Sequence, residues 1–326
     1  MSTVQRLDQF QRRHPKVGLP LAVVYKFFDD QGPYLAALIA FYGFLSFFPL
    51  LLLLSTILNF TLADNPDLQH RVLDSTLGQF PVVGTSLHNE SGVKGSGLGL
   101  VFGILGTVYG GLGVAQAAQN AMNSAWRVPR NDRPNPIRSR LRSMQLLLVV
   151  GLAIIGTTIL SALGARADAF GASIGDGLKV LFIALAVVVN AAVFTLGFKV
   201  ATARPLTWRE TVPGAVGAAV AWQALQYIGT FLVGGVVKNA SESNSVFGIV
   251  LGLIAFIYVE AIVVVFAVEL NVVRAQRLWP RALLTPFTDN VVLTDADEAA
   301  YTGQAHAARL KGFEDISVSF HPHEPD

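Results

Sequence analysis

Six histidines, 22 carboxylates and no cysteine are the side chains from which this 326-residue chain could build a reactive centre. Metal-dependent hydrolysis needs histidines and carboxylates clustered around one ion, so that a bound water is activated. His14, His70, His88, His306, His321 and His323 are scattered, and none falls in an apolar run. Only His321-Pro-His323-Glu-Pro-Asp326 has ligand-like spacing, and a polar terminal tail explains it better. Without cysteine there is no thiolate ligand, disulfide or cysteine nucleophile. Ser46, Ser55 and Ser161 lie in apolar runs with no histidine placed to activate them. Gly95-Ser-Gly97-Leu-Gly99 lacks the preceding strand and following Lys-Ser/Thr of a phosphate-binding loop. The sequence therefore predicts no metal, no cofactor and no enzymatic site.

A second set of residues is more informative, because it lies where polar groups are expensive. Glu260 interrupts a long apolar run. A carboxylate in a bilayer costs about 2.5–3.5 kcal/mol on insertion scales, so it should face the protein interior and find a partner. Candidates for a substrate or proton pathway with Glu260 are Asn190, Gln223, Gln226, Tyr258 and Ser46, with Tyr227 as a further donor. The competing reading is a protonated Glu260 hydrogen-bonded between helices, or one nearer the membrane interface. Pro49, three residues after Ser46, removes a backbone donor and predicts a kink near Leu45–Pro49.

The elements that carry these residues follow from composition. The chain is 52% hydrophobic and 14% charged, against about 25% charged in soluble domains. Residues 31–63, 95–125, 143–165, 180–198 and 211–237 are uncharged, and a sixth run from Ser243 to Glu269 is broken only by Glu260. About 20 apolar residues in a helix cross a hydrocarbon core of about 30 Å. Runs such as Leu50–Leu54 do not alternate as transmembrane strands do. The predicted fold is all-α, a polytopic membrane protein with six transmembrane helices. Residues 1–30 form an N-terminal segment with an interfacial helix at Val17–Phe28, residues 31–282 the membrane domain, and residues 283–326 a polar tail without regular structure.

Orientation follows from Lys and Arg, which concentrate on the cytoplasmic side. Seventeen lie in the segments before span one and after spans two, four and six, against five on the other side. Both termini are thus expected in the cytoplasm. The Arg127–Arg142 cluster is interrupted by Pro129, Pro134 and Pro136 and holds no aromatic residue, which favours anionic lipid headgroups over nucleic acid as its partner. Trp126, Trp208 and Trp279 beside cations read as interface anchors. Leu68, Val72, Leu73, Leu77 and Phe80 predict an amphipathic helix in the loop 64–94. Gly99, Gly103, Gly106 and Gly110, and Pro213, Gly214, Gly217, Ala218 and Ala221, predict close helix packing.

Several motifs, in order, resemble the YihY/BrkB family of bacterial inner-membrane proteins. Tyr42, Ser46 and Pro49 precede the leucine run of span one; Asn123-Ser-Ala-Trp126 follows span two; Trp208 leads into span five with Gly214 beyond it. Phe247-Gly248 stands where relatives have Tyr-Gly, and Glu269-Leu-Asn271 resembles the Glu that closes the last span. The resemblance covers about residues 20–280 and implies a six-helix membrane protein. Members are labelled ribonucleases or linked to envelope integrity, serum resistance or transport, with no catalytic set to carry over. Phe247 and Glu260 depart from the family pattern. The resulting expectation is a transporter or flippase of an amphiphile or small solute, surrounded by membrane lipids. A non-transporting envelope scaffold is the alternative, and a ribonuclease ranks third.

Overall fold

A computed structural model of the chain describes residues 3–61, 97–169, 176–236 and 242–321. Its regular structure is helical throughout these residues. Two N-terminal helices, α1 (Thr3–Arg13) and α2 (Pro15–Asp29), precede six long ones. These are α3 (Gly32–Thr61), α4 (Gly97–Ala125), α5 (Pro136–Ala169), α6 (Asp176–Ala201), α7 (Trp208–Val236) and α8 (Glu242–Gln276). A last helix, α9, spans Asp295–Ala307. Among the described residues, Gly32–Leu53, Val101–Ala125, Ala184–Ala201 and Val250–Gln276 are long and apolar enough to cross a membrane. The predicted helix in the loop 64–94, with His70 and His88, lies outside the described residues, as do His323 and the end of the tail.

The outer faces of the long helices are apolar. Phe41 and Phe48 on α3, Phe102 and Leu105 on α4, Leu148 and Leu152 on α5, and Val188 on α6 are all exposed. Such a surface is untenable in water and suits lipid. Cohesion inside instead comes from close backbone approach. The glycine row of α4 receives the motif residues of α3: a Cβ on Gly110 would stand 2.5 Å from Ser46 Cβ, and one on Gly106 would stand 2.6 Å from Pro49 Cγ. Gly113 lies against the Tyr42 ring and Gly103 against the Leu53 backbone. Helix α3 continues through Pro49, and Ser46 Oγ donates to Gly43 O at 2.9 Å rather than to the Leu45 carbonyl freed by the proline.

A second close contact joins α7 to α8. A Cβ on Gly214 would collide with the Ala267 carbonyl. The Asn271 side chain takes the Gly214 N–H at 2.7 Å and donates to Thr211 O at 3.0 Å, bracketing Pro213. The family-like Gly214 and Asn271 are therefore two halves of one joint. Gly248, by contrast, has nothing within 4 Å of a Cβ built on it.

The α4–α5 turn is tied to α2, to the α6–α7 turn and to α9 at one pole. Helix α4 ends in a Schellman turn with Arg127 at φ 52° and Val128 N–H bonded to Asn123 O at 2.8 Å. Helix α8 ends the same way, with Arg277 at φ 54° and Leu278 N–H on Val273 O at 3.0 Å. Asn123 Oδ1 then accepts Ala203 N–H at 2.7 Å, joining the α4–α5 turn to the α6–α7 turn. Thr207 and Glu210 start α7, with Glu210 Oε2 accepting the Thr207 N–H at 2.8 Å and its hydroxyl at 2.9 Å.

Helix α2 packs one face into the bundle: Ala22, Val23, Tyr25, Lys26 and Phe27 are buried, and Phe27 stacks on Phe266 of α8 at 4.0 Å, while Val17, Val24 and Phe28 stay exposed. One expectation changes here, because the segment from 283 is not wholly irregular. Thr294 and Asp297 form a reciprocal capping box that starts α9, and Ala296, Asp297 and Ala300 are buried. Small alanines rather than large apolar residues make that contact, so the sequence offers no strong periodic signal.

Candidate functional site

Glu260 lies on α8 and is 6% exposed. Of the residues expected around it, the structure supplies Gln226 of α7, whose Nε2 stands 3.5 Å from Glu260 Oε1. Neither Asn190 nor Gln223 is hydrogen-bonded to it. Tyr258 instead reaches back to Pro33 O at 3.5 Å, Tyr227 is 81% exposed, and Ser46 is taken up in the α3–α4 seam. Of the six residues, the structure brings Glu260 and Gln226 into direct contact.

Depth can be read from packing. Ile257 faces Gly43, with its Cγ2 3.0 Å from a Cβ built there, so Glu260 is level with about residue 40 of α3. At 1.5 Å per residue this is about 12 Å in from the start of α3, short of the middle of a 30 Å core. The carboxylate is interior but belongs to the half of the bundle nearer the termini.

About 13 Å nearer that pole along α8 lies a larger charged assembly that sequence reasoning missed. Lys26 is fully buried. Its ammonium contacts Glu269 Oε2 at 2.8 Å, the Ala125 carbonyl at 2.8 Å and the Asp30 carboxylate. Glu269 is also fully buried, and its Oε1 has no hydrogen-bond partner. Arg281, 1% exposed, grips Asp297 through Nε and Asp29 Oδ2 through both terminal nitrogens at 3.1 Å. Arg127 donates to Ala299 O at 3.3 Å, while its Nε and Nη2 have no partner. Burial lowers the Arg127 pKa, although Asp30 and Glu269 oppose the shift. Burial likewise raises Asp29 and outweighs the lowering influence of Arg281.

These groups come from α2, the α4–α5 turn, α8, the connection after α8, and α9. Read along the chain these charges lie in separate segments, so no linear motif exposes the cluster. Its sequence signals are that Lys26, Asp29 and Asp30 directly precede a long uncharged run, and that Glu269 ends another and resembles the Glu that closes the last span in the family. Removing one partner from a buried ion pair costs about 3–5 kcal/mol, because the other charge is left uncompensated. The assembly can therefore fasten both ends of the chain to the inner ends of α4 and α8.

The remaining sequence candidates are structural. Trp126 is 3% exposed with the Arg204 guanidinium 4.5 Å from its ring centroid, so it is a buried stacking partner rather than an interface anchor. Burial explains the change, since the α4 turn folds this ring inward under the α6–α7 turn. Trp208 remains 57% exposed beneath Lys199, whose Nζ is 4.2 Å from its ring centroid. Several arginines of the 127–142 cluster are used internally. Arg133 bonds Asn120 Oδ1 at 3.1 Å and Val128 O at 3.2 Å, and Arg142 bonds Thr202 O at 3.3 Å. Among the described residues no grouping of three His, Asp or Glu side chains could hold a metal ion.

The family model described as "Virulence factor BrkB" matches residues 23–287, which run from within α2 through the six long helices to Arg281 and beyond. The chain belongs to the BrkB family. Inner membrane protein YhjD of Escherichia coli (strain K12) is 23% identical over 285 residues, covering 82% of this chain and 83% of that protein. No solved structure matches the chain. Family membership, the inner-membrane relative and the four membrane-length helices make this BrkB-family protein a multi-pass protein of the inner membrane. The matched range contains Glu260, Glu269 and Lys26, while α1 and α9 fall outside it.

Proposed function

We propose that the protein crosses the inner membrane six times, with both termini cytoplasmic, and moves an amphiphile or small solute across it. The observation that carries the transport reading is Glu260, an almost fully buried carboxylate on a membrane-length helix, facing Gln226 of the adjacent helix. An ionisable side chain at that depth is a functional-site hypothesis by default, given its insertion cost. Six long helices support the topology, with the α4–α5 and α6–α7 turns joined to one another, as do the seventeen Lys and Arg of the corresponding segments. The protein in this reading is not an enzyme, and its partners are lipids rather than nucleic acid.

The experiment is reconstitution into liposomes with two probes, a fluorescently tagged phospholipid for flipping and an internal pH dye for proton movement. The wild type should accelerate at least one signal over empty liposomes, and Glu260→Gln should lose most of that acceleration while remaining folded. Full activity in Glu260→Gln would remove the carboxylate from the mechanism. A specific observation favours the second reading, an envelope scaffold: the α3–α4 and α7–α8 seams are closed by direct backbone contact. Neither probe responding to the wild type would leave the scaffold as the better account.

A further inference from the structure

The two N-terminal helices carry an outward apolar face that the bundle does not cover. On α2, Val17, Val24 and Phe28 are exposed. Their spacing of seven and four places them on one stripe of a helix. On α1, Leu7 and Phe10 are 54% and 51% exposed. The exposed cations Arg6, Arg13 and Lys16 border these residues. The adjoining side of α1 is polar and attached: Gln11 Nε2 donates to Arg281 O at 2.6 Å, and Asp8 Oδ1 accepts the Leu283 N–H at 2.8 Å.

Two observations say what covers the outward face. The stripe of α2 leads directly in the chain into a lipid-facing helix, since α3 begins three residues after α2 ends and exposes Tyr34, Leu38, Phe41 and Leu45. The charge on this platform is also of one sign: Arg6, Arg12, Arg13 and Lys16 face only Asp8 within residues 3–17, and Asp8 is paired with Arg12. Apolar residues bordered by cations are what an anionic bilayer surface binds, the apolar side chains entering the headgroup boundary and the cations pairing with the headgroups. We propose that the exposed faces of α1 and α2 form one interfacial platform that docks on the anionic headgroup layer of the same membrane. Through Asp8 and Gln11 the platform bears on the connection that holds Arg281, so lipid contact and the buried ionic assembly are mechanically linked.

The native absence of cysteine allows a clean test with the full chain. An environment-sensitive fluorophore is placed at Phe10→Cys in nanodiscs, either purely zwitterionic or containing phosphatidylglycerol. A control probe sits at Phe313→Cys, a position 91% exposed. The expected result is quenching by a lipid-borne quencher at position 10 but not at 313. It should be about twofold stronger with the anionic lipid and weakened by salt or by Arg6→Gln/Arg13→Gln/Lys16→Gln. The same quenching is read at Val17→Cys, so that loss of one anchor side chain does not decide the outcome. Quenching by aqueous iodide alone, in both lipid compositions and at both positions, would overturn the proposal. So would shielding that appears only when two copies share a disc, which would assign the face to self-association.

Discussion

At the scale of single residues, the chain contains two kinds of paired charge that behave differently. Lys26 and Glu269 neutralise one another at 2.8 Å with both side chains fully enclosed. Lys26→Met should therefore lower stability by about 3–5 kcal/mol, and Lys26→Met/Glu269→Leu should recover much of it, because no lone charge then remains. Denaturation of the purified variants checks this, and a double variant as unstable as the single would show that Lys26 acts through Asp30 or the Ala125 carbonyl instead. Glu210 is the exposed counterpart. Partial burial raises its pKa, but the Thr207 N–H, the Thr207 hydroxyl and the Arg204 charge outweigh this and hold it below the usual value. A depressed carboxylate contributes stability above its unfolded value and loses it as pH falls through the folded one. The wild type should lose stability relative to Glu210→Gln as pH drops below the ordinary glutamate value of 4.5, which parallel melts across pH 3–7 would measure.

At the scale of elements, what the sequence revealed depended on whether a signal was local. The long helices follow from uncharged runs, and the α3–α4 seam follows from glycines four apart. Both are properties of one segment. The ionic assembly draws its residues from five segments, so Glu269 was legible as a motif residue but its partners were not, and neither was the burial of Trp126 by a turn from elsewhere. Glu260 was legible as an oddity, but its partner and its depth were not, since both depend on how α7 and α3 sit against α8. The short helix α9 was hidden because alanine, not leucine, makes its contact. The seams yield a paired prediction. Gly214→Ala should be strongly destabilising, because its Cβ would meet the Ala267 carbonyl, which cannot move aside. Gly110→Ala should also destabilise, through Ser46 Cβ and backbone. Gly151→Ala, with nothing within 4 Å, should be neutral or stabilising by up to about 1 kcal/mol. Thermal melts in one detergent would rank the three, and equal losses at all positions would contradict the seam assignment.

At the scale of the whole molecule, the bundle is fastened at one pole by charge and along its length by close backbone approach, with Glu260 between. Transport requires that water or solute reach this carboxylate, whereas a scaffold has no such need. The most direct measurement is thiol accessibility of Glu260→Cys in the otherwise cysteine-free protein, using a small membrane-impermeant methanethiosulfonate applied separately to each side. Ala261→Cys, from the adjacent buried position, serves as the control. The account predicts modification of position 260 from the cytoplasmic side, about 12 Å inside the start of α3, with position 261 protected. Protection of both positions from both sides, under conditions where exposed Phe313→Cys reacts fully, would contradict it.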